Sequence, residues 1–103
     1  MNPLIDKKLP QIIDLCDKYH VKVLALFGSI TGNKFDSKNS DLDLVVEFFP
    51  MVPVQHADSY FGLIEDLQNL FELEIDLVEY PSIRNPFFLE VIEKNRVVIY
   101  EAA

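Results

Sequence analysis

Apolar positions along the chain fall into short blocks that switch between two periods. Leu9, Ile12, Ile13 and Cys16 recur at helical spacing between Asp6 and His20, with Asp14, Asp17 and Lys18 on the opposite side. This predicts an amphipathic first helix, in which Pro10 is tolerated in or near the first turn, where a missing N–H costs little. Val21 to Phe27 is a run of β-branched and apolar residues that stops at Gly28, as a strand covered on both faces would. Thr31 to Ser40 has loop chemistry, and Asp41 to Phe49 reads as a second strand. After a break bracketed by Pro50 and Pro53, the residues Tyr60, Leu63, Ile64, Leu67, Leu70 and Phe71 keep the helical period. Leu73, Ile75 and Leu77 then alternate with Glu74, Asp76 and Val78, which marks a third strand closed by Pro81. Asn85-Pro86 supplies the cap and first position of a short helix through Lys94, and Arg96 to Tyr100 reads as a terminal strand. The order predicts an α/β fold, a mixed β-sheet of about four strands flanked by helices, in a single domain over residues 1–103.

Composition narrows the partners. Half of the 103 residues are hydrophobic, enough for one core. Nine Lys and Arg against 17 Asp and Glu give a net charge of −8, so the surface repels phosphate backbones and unaided binding to duplex DNA is not expected. Cys16 is the only cysteine, which excludes an intramolecular disulfide and a cysteine-built zinc site; on the apolar side of the first helix it reads as an inert core residue. No apolar run approaches the roughly 20 residues of a membrane span, and Met1 to Lys8 lacks the apolar stretch of a signal peptide. A soluble chain in the reducing cytoplasm is expected.

Chemistry concentrates at three places. Asp41 and Asp43 stand two apart on a strand, so both carboxylates leave one face while Leu42, Leu44 and Val46 leave the other. Two anions held side by side have no structural purpose in a strand and call for a cation, and hard oxygen ligands favour magnesium or manganese. Upstream, Gly28-Ser29 ends the first strand, where open α/β sheets place their ligands; glycine permits close approach of an anion, and serine offers an amide and a hydroxyl to phosphate oxygens. A third carboxylate, Asp76, lies on the polar side of the third strand, so the three converge if the third strand neighbours the second. Taken singly, each has an ordinary structural reading: a loop-to-strand junction, a turn, a solvated strand face.

Other features carry less. Gly28 to Lys34 has three residues between its glycines where a P-loop needs four, and Asp36 to Asp43 has Lys38 at a calcium-ligand position. His20 fits the end of the first helix, His56 has no evident partner, and Glu72, Glu74 and Glu79 read as solvated surface around the third strand. Tyr19, Tyr60, Tyr80 and Tyr100 read as structural. Phe48, Phe49, Met51, Val52, Phe87 and Phe88 are candidates for apolar contact surface, with core the more ordinary role for each.

Phe27-Gly28-Ser29, an intervening loop, Ser40-Asp41-Leu42-Asp43-Leu44 and a later Asp76 on its own strand together resemble the minimal nucleotidyltransferase domain of the polymerase-beta-like superfamily, over nearly the whole chain. The resemblance implies that Gly28 and Ser29 hold the nucleotide phosphates and that Asp41, Asp43 and Asp76 bind two magnesium ions, with Asp76 also helping to activate the acceptor. It implies transfer of a nucleoside monophosphate, AMP from ATP, to a hydroxyl of a protein or another acceptor, with pyrophosphate leaving. Small members of this family pair with a HEPN-type toxin as its antitoxin, and a second chain supplying the base pocket or the acceptor would suit so small a domain, as would an oligomer. One departure stands out: where the family often has a basic residue and glycine after the serine, this chain reads Ile30-Thr31-Gly32-Asn33-Lys34. The alternative it opens is a catalytically degenerate, antitoxin-like subunit that acts by occluding its partner.

Overall fold

Ile5, Ile12 and Cys16 form the buried stripe of the first helix, α1 (Pro3–Lys18), in a computed structural model that describes residues 3–27 and 42–103. The helix begins three residues before the expected Asp6, because Ile5, fully buried, anchors an additional turn. Pro10 therefore lies inside the helix rather than in its first turn. Ile13, expected on the apolar side, is 40% exposed, and Leu15 packs against the core instead.

His20 reverses the chain with φ 60°, its carbonyl accepting from the Phe49 amide at 3.0 Å. Then follow β1 (Val21–Leu26), β2 (Leu42–Phe48), α2 (Pro53–Phe71), β3 (Ile75–Glu79), a single 3-10 turn at Tyr80–Ser82, α3 (Pro86–Asn95) and β4 (Val97–Glu101). Every expected element is present among the described residues. The largest shift is at α2, which starts at Pro53: proline, lacking an N–H and fixed near helical φ, opens the helix instead of breaking the approach to it. Asn85 caps α3 as its sequence suggests, its side chain accepting from the amides of Phe87 at 2.9 Å and Phe88 at 3.3 Å.

The four strands form one mixed sheet in the order β3-β2-β1-β4. β1 is antiparallel to both β2 and β4, whereas β2 and β3 run parallel, joined through α2 as parallel strands must be. Leu24 and Leu26 of β1, Leu42, Leu44 and Val46 of β2, and Ile75 and Leu77 of β3 share one core with Ile12 and Cys16 of α1 and Leu63 and Leu67 of α2. The period of two sends Ala25, Val45, Asp43 and Asp76 to the other face. The Phe27 and Phe88 rings meet edge-on at 6.4 Å, which places α3 on that second face, where Ile92, Ala25 and Val45 are buried.

Two features of the helical layer bear on stability. Cys16 is inaccessible, and burial, reinforced by the charge of Asp17, pushes its thiol up to about 12. Between the unfolded value near 9 and that figure the folded chain keeps a proton that the unfolded chain releases, so stability falls as pH rises through this window. We expect the loss at Cys16 to reach about 1 kcal/mol between pH 8 and about pH 9.5. Denaturant titrations at both pH values check it: the loss should be smaller by that amount in Cys16→Ala, and equal slopes in the two chains would refute the assignment. The second feature is the close crossing of α1 and α2 at Gly62. A Cβ there would lie 2.6 Å from Tyr19 Cε1, while the Tyr19 hydroxyl donates to Asp66 at 2.5 Å.

Candidate functional site

The sheet brings together two of the three expected carboxylates. Asp43 and Asp76 are direct register partners across the parallel β2–β3 pair, on the face opposite the main core. Adjacent strands are about 5 Å apart, and side chains of register partners leave the same face, so the two carboxylates are neighbours. Asp43 is half-buried and Asp76 exposed. Leu42 and Ile75, one position earlier and also in register, are buried, and this pair of core anchors holds the polar rung in place.

The third partner on this rung is backbone. Phe27 donates its amide to the Asp43 carbonyl at 3.1 Å, and the Leu42 amide donates to Glu74 at 2.9 Å. Phe27 and Leu42, the described residues that flank 28–41, are thus fixed on the two strands beside Asp43. Gly28, Ser29 and Asp41 fall within that segment and lie outside the described residues.

Two residues of α2 not anticipated in the site, Tyr60 and His56, pin β3 from its core side. The Tyr60 hydroxyl donates to the Leu77 carbonyl at 2.6 Å, one residue after Asp76. Burial holds the Tyr60 phenol above its ordinary value, and the charges of Glu79 and Asp76 push it further in the same direction. One turn earlier, His56 Nε2 lies 2.5 Å from Glu79 Oε1 and its ring meets Phe48 at 5.3 Å. Glu79 is therefore engaged rather than part of a solvated acidic surface, and His56 has a partner after all. The signal was present in the spacing: His56 and Tyr60 are four apart on α2, and Glu79 is in phase with Ile75 and Leu77, which face that helix.

Among the described residues no group of three or more His, Cys, Asp or Glu is placed to hold a metal ion. The Asp43–Asp76 pair offers two hard oxygen donors side by side, a donor set that suits a divalent ion such as magnesium and needs further ligands to complete it. A groove of about 520 Å³ opens beneath α3, lined by Lys22, Glu47, Tyr80, Leu89, Glu93 and Arg96. Its two cations are already engaged, Lys22 with Glu47 at 3.7 Å and Arg96 with the Tyr80 hydroxyl at 2.5 Å, so it does not compete as a phosphate site.

The sequence profile of the nucleotidyltransferase domain family matches residues 9–99. The chain belongs to that family. This nucleotidyltransferase domain is 36% identical over 85 residues to a protein of Methanocaldococcus jannaschii provisionally named a protein adenylyltransferase, an alignment covering 82% of this chain and 83% of the relative. Its fold is that of a solved protein described as a minimal nucleotidyltransferase, with a TM-score of 0.74, 20% identity and 90% of each chain covered. It is likewise similar to a chain in the complex of a tri-AMPylated Shewanella oneidensis HEPN toxin with its MNT antitoxin: TM-score 0.64 and 16% identity over 94% of this chain and 72% of that one. These two likenesses show the fold. No described helix is long and apolar enough to cross a membrane.

Proposed function

We propose that this nucleotidyltransferase domain transfers AMP from ATP to a hydroxyl of a protein partner, a HEPN-type toxin, in the cytoplasm. The observation that carries this reading is the Asp43–Asp76 register pair, with Phe27 hydrogen-bonded beside it at the entrance to Gly28-Ser29. In the transfer the acceptor hydroxyl gives up its proton, its oxygen bonds to the α-phosphorus of ATP, and the bond from that phosphorus to the bridging oxygen breaks as pyrophosphate leaves. Asp76, the more exposed of the pair, is suited to orient the acceptor hydroxyl and take its proton. Asp41, Asp43 and Asp76 would hold magnesium, two ions on this reading, which supplies charge neutralisation for the triphosphate and the leaving group. Gly28 and Ser29 would cradle the β and γ phosphates through amide and hydroxyl donors. The provisional naming of the archaeal relative for protein adenylyltransfer and the AMPylated toxin in the complex of similar fold both support this acceptor class.

The test is intact-mass analysis of a HEPN-type toxin co-expressed with the chain. Toxin heavier by one or more AMP groups, and unmodified toxin when Asp43→Asn is expressed instead, is the expected result. Toxin that is neutralised and bound but never modified would replace this reading with the occluding one.

A further inference from the structure

The helix that supports the carboxylate rung also carries a second, outward face. Val54, Asp58, Phe61 and Glu65 follow one another on α2 at intervals of four, three and four, so they line one side of the helix, and Glu72 caps its C-terminal end. All five are exposed, Val54 by 74% and Phe61 by 66%, while the opposite side of the helix buries Leu63, Leu67 and Phe71. α2 contains no Lys or Arg, and among the described residues Asp58, Glu65 and Glu72 have no ion-pair partner. A single exposed apolar residue is ordinary; two large ones interleaved with unneutralised carboxylates on a rigid helix are a patterned surface. Phe87 and Val91 of α3 are exposed as well, but on that helix Phe88 packs on Phe27 and Glu90 is paired with Lys94 at 2.8 Å.

We infer that the outer face of α2 is a docking surface for an amphipathic helix of a protein partner, one whose apolar stripe is flanked by Lys and Arg. Charge selects the occupant. Nucleic acid and anionic lipid are repelled by a chain of net charge −8, and so is a second copy, whereas a basic helix finds acids beside each apolar anchor. Phe61 is held for this role by edge contact with Tyr60 at 5.2 Å, and Tyr60 is bonded to the residue after Asp76. The surface itself stands on its own observations and does not depend on the proposed transfer.

The experiment uses the full chain, isotopically labelled, and a synthetic helical peptide of about 18 residues with a leucine stripe flanked by Lys and Arg, alongside the same peptide with Glu in place of the basic residues. The expected result is saturable binding of the basic peptide, amide shifts confined to residues 54–65, and a Kd raised at least about tenfold by Phe61→Ser and by the double variant Asp58→Lys/Glu65→Lys. Both variants alter exposed positions, and an unchanged melting temperature confirms that they fold. Because no nucleotide is present, Asp43→Asn must bind the peptide as the parent does even if transfer fails. Equal binding of the acidic peptide, shifts centred on α3, affinity indifferent to either variant, or self-association of the chain through this face would overturn the inference.

Discussion

Asp43→Asn is expected to lower the rate of nucleotidyl transfer by about 10²- to 10³-fold while leaving the melting temperature within a degree or two of the parent. The size follows from what the proposed function would lose: the neutral amide is a far poorer ligand than the carboxylate for a magnesium ion that would offset phosphate charge, and removal of one such electrostatic contribution costs roughly 3–4 kcal/mol in the transition state. The fold is spared for a structural reason. Asp43 lies on the face away from the main core, half-buried, and its backbone bond to Phe27 does not involve the side chain. Single-turnover assays with labelled ATP check the rate, and retention of more than a tenth of it in the folded variant would remove Asp43 from the site. The same substitution at Asp76 should act in the same direction, since the two are partners on one rung.

Gly62→Ala is expected to destabilise the chain by about 2 kcal/mol, against the usual gain of about 1 kcal/mol from replacing glycine in a helix. The new methyl would stand 2.6 Å from Tyr19 Cε1 and 3.0 Å from its Cζ, so the ring must leave its place. Leaving breaks the hydroxyl bond to Asp66, to which Lys18 is also drawn at 3.4 Å, and opens the seam between α1 and α2. The cycle with Tyr19→Ser separates the two contributions. In that background Gly62→Ala meets no ring and should turn stabilising by several tenths of a kcal/mol or more. Chemical denaturation of the four chains measures it, and a Gly62→Ala chain no less stable than the parent would show that Tyr19 swings aside without cost.

The strands and their polar faces could be read from the chain because their cause is local. Leu42, Leu44 and Val46 must turn inward together, which obliges Asp43 to turn outward, and the same holds for Asp76 between Ile75 and Leu77. Their meeting on one rung could not be read, because the register of two strands separated by a 19-residue helix is set by how that helix packs, not by either strand. Phe48 and Phe49 show the limit at single positions: chemically identical neighbours, they take opposite sides of the sheet's end, Phe48 8% exposed and Phe49 41%. Of the six candidates for apolar contact surface, Phe48 and Met51 join the core, while Phe49, Val52, Phe87 and Phe88 are exposed. Pro10 misled about the start of α1 because proline signals a helix end locally, whereas the burial of Ile5 that overrides it is a tertiary contact. The approach of Gly62 to Tyr19, and the bonds of Tyr60 and His56 to β3, likewise depend on which helix face meets which strand.

The central claim, that the Asp43–Asp76 rung forms a magnesium-dependent triphosphate site, is tested most directly by calorimetric titration of the purified chain with a non-hydrolysable ATP analogue, once with magnesium and once with chelator. Binding that requires magnesium and disappears in Asp43→Asn is the expected result. Binding of equal strength in chelator, or binding that survives Asp43→Asn unchanged, would contradict it.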